Sequence, residues 1–189
     1  MLLRATALIA LLSAGSVFAA PLTLTPADPQ PDDGDLSPGL AVKYAYPGEV
    51  RTLEAAAAAV RKGRPGPPLR GLSYEDNNEG DKTLTSRKDQ KVAASISGYI
   101  RFETPGTYEV NIISNDGVEA SIGGQQVALY DGIHACEPAG VQEVMVPQAG
   151  RSALEATYFQ RKGTACLVMD WNVGGTMVPV PDSAFAYKD

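Results

Sequence analysis

Histidine is almost missing from this chain of 189 residues, with His134 as its single example. That scarcity excludes most zinc hydrolases, histidine-rich metal sites and His–His acid/base pairs, all of which need imidazoles in number. Cysteine stops at two, so a fold held mainly by disulfides is excluded as well. Basic residues are outnumbered, 16 against 22 acidic, for a net charge of -6. Phosphate backbones and anionic membrane surfaces are poor partners for such a chain, and nucleic acid is not an expected ligand. Aromatics make up only 7%, yet 44% hydrophobic and 20% charged residues are ordinary for a globular domain, which excludes disorder throughout. The length suits one domain with a real core and excludes a large multidomain enzyme. No apolar run reaches the ~20 residues of a transmembrane helix. Catalytic sets are missing too: there are no paired carboxylates on a recognisable motif, no nucleophile elbow and no metal triad, so no enzyme is expected.

What is present begins with an export signal. Arg4 supplies a positive start, residues 5–14 (ATALIALLSA) a short apolar run, and Val17-Phe18-Ala19 a small-x-small cleavage pattern. Residues 1–19 therefore read as a signal peptide, and the product as a secreted or periplasmic protein. No cysteine follows the cleavage point, so lipid attachment there is not indicated. Export lets Cys136 and Cys166 pair. Their bond would close a loop of about 31 residues, for roughly 3 to 4 kcal/mol of stabilisation. The rival reading makes Cys136 a catalytic thiol two residues from His134, but nearness in sequence does not build a nucleophile pair. Residues 20–38 (APLTLTPADPQPDDGDLSP) carry five prolines and four aspartates, a composition that reads as a flexible lead-in. Asp32, Asp33 and Asp35 there suggest solvated acids rather than a calcium site.

Folded sequence is expected over residues 39–189. Residues 40–46 (LAVKYAY) alternate as a strand. Residues 52–62 (TLEAAAAAVRK) read as a short surface helix, with Glu54 in its first turn, Arg61 and Lys62 in its last, and Leu53 and Val60 as anchors. The polar loop at residues 76–82 lacks the glycine and closing glutamate of a calcium-binding EF-hand. Arg87, Lys88 and Lys91 form a small basic cluster, read as solvated. From Val92 onward the period is two. Strands are predicted at residues 106–113, 118–122, 125–130, 141–146, 152–159 and 166–171, with Gly123-Gly124 as a hairpin turn. Leu154, Ala156 and Tyr158 alternate with Leu167, Met169 and Trp171 as antiparallel neighbours would. With Tyr108, Val110 and Ile112, these residues are the predicted core. Trp171 is read as buried rather than as a platform for a sugar ring. The expected class is all-β, an antiparallel β-sandwich or barrel with one short surface helix.

Several stretches carry a resemblance: Gly98-Tyr99-Ile100, Thr104 to Tyr108 (TPGTY), Ser114-Asn115-Asp116-Gly117-Val118 and Gly123-Gly124. Ala149-Gly150, Glu155, Tyr158-Phe159 and the 167–171 strand ending in Asn172-Val173-Gly174-Gly175 continue it. This course, over roughly residues 39–185, resembles the PA-fourteen domain, a family found in toxins, adhesins, proteases and glycoside hydrolases. The resemblance implies a β-sandwich or barrel and, from several members, a carbohydrate-binding module. In glycan-binding members two adjacent aspartates, joined by a cis peptide, hold a calcium ion that grips sugar hydroxyls. Here the pair is Asn115-Asp116, so the implied metal site, Asn115 with Asp116, has lost one negative charge, which lowers affinity for a hard cation. The cis bond is not assumed for this altered pair. Turn chemistry alone also accounts for Asn115-Asp116-Gly117. The implied ligand-binding edge comprises Asn115 and Asp116 with Asp131 and Asn172, each of the latter two also a plausible turn residue. Two functions stay open: a non-catalytic module for glycans or cell-surface proteins, possessing calcium or not, and a structural or protein-interaction domain that has lost the calcium-dependent sugar site.

Overall fold

The computed structural model describes residues 20–172 and 175–189. The expected signal peptide, residues 1–19, lies outside the described residues, as do Val173 and Gly174 of the family-like course. In chain order the strands are β1 (Leu22–Thr23), β2 (Ser37–Pro38), β3 (Ala41–Ala45), β4 (Arg64–Pro65) and β5 (Ser73–Tyr74). The long strands follow: β6 (Val92–Phe102), β7 (Gly106–Asn115), β8 (Val118–Ile122), β9 (Gln125–Tyr130), β10 (Glu137–Val146), β11 (Gly150–Gln160) and β12 (Cys166–Asn172). Short β13 (Val178–Pro179) and β14 (Phe185–Tyr187) close the chain, and the helix α1 (Leu53–Val60) lies between β3 and β4.

Two sheets form a sandwich. The first runs β1-β10-β7-β12-β13, with β5 also on β12; the second runs β2-β14-β6-β11-β8-β9, with β3 on β6 and β4 on β3. Strands β6 and β11 are the spine of the second sheet, paired residue for residue from Gly150↔Phe102 to Gln160↔Val92. Alternation puts Tyr108, Val110, Ile112, Leu154, Tyr158, Leu167 and Met169 into one buried cluster between the sheets, as their period predicts. The hairpin β8–β9 has the predicted bounds, and Gly123 and Gly124 adopt the positive φ values, 54° and 75°, that its turn demands.

Three expectations are corrected. Strands β11 and β12 are not neighbours: β11 pairs with β6 and β8, whereas β12 pairs with β7. They face each other across the core, because period two fixes which face is buried but not which strand lies alongside. Residues 20–38 are not a free lead-in. Leu22 pairs with Val144 in parallel, Leu24 is buried, and Ser37–Pro38 pairs with β14. Asp33 in this segment meets both Arg101 and Arg151, so two apolar residues and one ion-pair cluster fix a stretch whose composition argued against folding. Trp171 is half-buried, not enclosed; its ring lies 5.8 Å from Phe102 and 5.7 Å from Tyr108.

Helix α1 covers the outer face of the second sheet. Thr52 caps it by accepting the Ala55 N–H at 3.2 Å, and Leu53 and Ala56 pack with Phe159 and Ala93 in a second small cluster. The expected anchors Leu53 and Val60 both pack on this cluster, Leu53 buried and Val60 partly so, and Ala56 joins them as a fully buried third. No helix among the described residues is long and apolar enough to cross a membrane.

Candidate functional site

At one end of the sandwich the chain crosses between the sheets three times: at residues 116–117 from β7 to β8, at 131–136 from β9 to β10, and at 161–165 from β11 to β12. Asn115 and Asp116 stand at the first crossing, and the peptide between them is cis. Both residues are buried, with exposures of 7% and 2%. The structure thus places the implied pair in a filled corner.

The Asp116 side chain is committed on both oxygens. Oδ2 accepts the backbone N–H of Arg161 at 2.7 Å, and Oδ1 accepts that of His134 at 3.3 Å. One carboxylate therefore fastens all three crossings together. Burial raises its pKa above the usual carboxylate value, and these two backbone donors, with the charge of His134 and Arg161, pull it partly back. The Asp116 carbonyl is equally occupied: Ser114 Oγ donates to it at 2.7 Å, and His134 Nε2 lies 2.8 Å away. Because a carbonyl only accepts, Nε2 carries a proton. The His134 ring stacks on Tyr130, centroid to centroid 3.7 Å. Tyr158, fully buried, donates its hydroxyl to the Asn115 carbonyl at 2.5 Å, and its own ionisation is pushed far up by burial and then by the Asp116 charge. Asn115 Nδ2 donates to Thr164 Oγ1 at 3.0 Å.

Glycine is needed at Gly117 for space, not for its dihedral freedom. A Cβ there would overlap the Phe159 ring and lie 3.0 Å from the Tyr130 carbonyl oxygen, and its φ is not among the positive ones. Beside the corner, Cys136 and Cys166 form the expected disulfide, with Cα atoms 5.9 Å apart, and Cys166 is the register partner of Asn115.

The remaining implied ligands are engaged in other contacts. Asp131 belongs to the second crossing, but its Oδ1 accepts the Leu53 N–H at 2.6 Å, so the carboxylate serves the start of α1. Asn172 pairs with Glu109, six residues along β12 from the Cys166↔Asn115 pair, which is about 20 Å at strand rise. There its side chain donates to Glu109 Oε2 at 2.7 Å and accepts the Gly175 N–H at 2.6 Å. Calcium takes six to eight oxygens. With one carboxylate already bound to two amides, and with Asp131 and Asn172 turned to other tasks, these residues do not fit a calcium centre of the two-aspartate kind. Sequence reasoning missed His134 and Arg161 as members of the corner. Their contribution is largely a backbone N–H, which no residue letter announces.

A second feature is a cleft of about 700 Å³ beside β3 and β4, floored by Tyr44 and Tyr46 and rimmed by Lys62, Arg64, Lys82 and Arg87. It lies toward the C-terminal end of α1, where Ala59 lines it, away from the end that Asp131 holds.

No family model matches the sequence, and no curated protein does. Solved structures do match. The PA14 domain of the MpAFP antifreeze protein superposes with a TM-score of 0.68 at 17% identity, over 85% of this chain and 95% of that one. The PA14 sugar-binding domain from an RTX adhesin gives 0.65 at 17% identity, over 79% and 98%. The epithelial adhesin 9 A domain from Candida glabrata, in complex with Galβ1-3GlcNAc, gives 0.66 at 13% identity, over 90% and 97%. At these identities the likeness is one of architecture, and the chain has the fold of the PA14 domains.

Proposed function

We propose that the protein is an exported, non-catalytic module that binds carbohydrate, at a cell surface or in solution. The observation that carries this reading is the fold itself: it extends over nearly the whole of solved domains described as sugar-binding or held in complex with galactosyl saccharides. The signal pattern of residues 1–19 and the disulfide support export, secreted or periplasmic. Recognition in this reading does not pass through calcium at Asn115 and Asp116, since the Asp116 oxygens are taken by the His134 and Arg161 amides.

The same observation favours a second reading, a protein-interaction domain that keeps the fold without the sugar site. A glycan array probed with and without chelator separates the two. Binding that survives chelator is the expected result. Binding abolished by chelator would overturn the calcium-free form, and silence toward every glycan would leave the interaction domain.

A further inference from the structure

We infer that the cleft over Tyr44 and Tyr46 is a binding site for an acidic saccharide, a short chain of sugar rings bearing carboxylate or sulfate groups. The inference rests on the carbohydrate reading above for its sugar component, and on the cleft alone for its charge.

Charge is the first argument. In a chain with an excess of acidic residues, Lys62, Arg64, Lys82 and Arg87 line one cleft and Lys88 stands next to it, while the lining contains no aspartate or glutamate. Five arginines elsewhere, Arg51, Arg70, Arg101, Arg151 and Arg161, each meet a carboxylate, and Arg61 meets none among the described residues. None of the five cations at the cleft forms such a pair, or donates a side-chain hydrogen bond, to a described residue. Like charges gathered without counter-charges repel, so the arrangement costs stability unless an anion joins it.

Pre-organisation is the second. The Arg87 guanidinium lies over the Tyr46 ring at 4.6 Å and the Lys88 ammonium at 5.4 Å, while the Arg87 N–H donates to the Tyr46 hydroxyl at 3.3 Å. Tyr44 stacks beside Tyr46 and receives the Thr85 N–H at 3.2 Å, with the two hydroxyls 2.9 Å apart and Thr85 Oγ1 donating to the Pro67 carbonyl at 2.6 Å. Burial pushes the Tyr44 hydroxyl up to about 12, so it stays a neutral bridge. Gly66 completes the wall: a Cβ there would come within 2.5 Å of Tyr44 Cδ2, so only glycine lets the backbone lie on the ring. The loop carrying Arg87 is thereby tied to β3 before any ligand arrives, which lowers the ordering cost of binding.

Size and chemistry choose the ligand. A volume of about 700 Å³ lies in the range of small-molecule sites and far exceeds the need of an inorganic anion. Prolines 47, 65 and 67 give apolar wall for ring faces, while guanidinium and ammonium groups suit carboxylate and sulfate oxygens. A long phosphate backbone would leave the cleft and run over an acidic surface, which the net charge of -6 opposes.

Calorimetry on the exported chain tests this with a heparin tetrasaccharide, a galacturonate tetrasaccharide, lactose and inositol hexakisphosphate. At least one acidic saccharide is expected to bind, more weakly as salt rises and unaffected by chelator. R64Q/R87Q is expected to weaken it by about tenfold or more. Lys62→Glu with Lys82→Glu, two exposed changes away from the Tyr46 stack, should do the same with an unchanged unfolding midpoint. Unaltered saccharide binding in both folded variants would overturn the site. Inositol hexakisphosphate binding as tightly as the best saccharide would overturn the ligand class. Binding of lactose or array glycans without any acidic saccharide would overturn this inference and leave the carbohydrate reading standing; silence toward every saccharide would remove both.

Discussion

Asp116 and Arg161 are 45 residues apart, yet the carboxylate of the first accepts the backbone N–H of the second at 2.7 Å. That bond joins the crossing after β7 to the crossing after β11, and the companion bond to His134 brings in the crossing after β9. A residue that the resemblance marks as a ligand is here a fastener. The distinction has measurable consequences.

Removing the carboxylate leaves two amide donors without their partner in a corner where Asp116 is 2% exposed. Asp116→Ala is expected to lose about 2 to 5 kcal/mol in urea denaturation, the usual cost of stranding buried donors. Chelator should not change the wild-type midpoint. A loss below ~1 kcal/mol would show that water takes over the two amides.

Trp171 is the chain's single tryptophan, half-buried against Phe102 and Tyr108. Trp171→Ala should cost about 2 to 3 kcal/mol, short of the ~3 to 5 kcal/mol of a fully enclosed aromatic. Wild-type fluorescence should emit between the free-indole and buried extremes and shift red on unfolding. Emission already at the free-indole position would place the ring in solvent.

Acid stability separates two aspartates of opposite sign. The hydrogen bond and charge of Arg151, helped by Arg101, hold Asp33 below its ordinary value of 3.8. Its contribution is therefore complete above that value and disappears as pH falls through the lower folded one. Asp33→Asn should flatten the acid limb of the stability curve below about pH 4 and leave the neutral region's slope alone. Added salt should shrink the difference, because the Asp33 side chain is 66% exposed. Asp116, raised by burial, runs the other way: its carboxyl favours the folded state when protonated, and that advantage fades as pH climbs through its folded value. An Asp33→Asn variant with an unchanged acid limb would dismiss the Arg151 pair as a contributor.

Period two made the sandwich legible from Val92 onward, down to the bounds of β8 and β9, and export logic gave the Cys136–Cys166 pair. Partnership between strands was not legible, because the alternation in β11 and β12 is equally satisfied by neighbours or by strands opposed across a core. Residues 20–38 misled for a related reason. Composition measures how much apolar surface a segment has, but Leu24 needs only one slot, and Asp33 finds its arginines on β6 and β11, far along the chain. Of the corner, the sequence displayed Asn115-Asp116-Gly117 and hid the backbone donors that decide what Asp116 does. The basic cleft was visible only as Arg87 and Lys88; Lys62, Arg64 and Lys82 join them through the folding of β3, α1 and β4.

The Asp116–Gly117 step has a bearing on how the molecule ages. Aspartate followed by glycine is a weak point in free peptides, since the next amide nitrogen can attack the side-chain carboxyl and convert the linkage into an isoaspartyl bond. In this corner the carboxylate is drawn toward the His134 and Arg161 amides, and the Phe159 ring presses on Gly117. The side chain is thus withheld from the nitrogen it would have to meet. Slow chemical decay at this dipeptide is thereby tied to loss of the fold, and the corner lasts for as long as the chain stays folded.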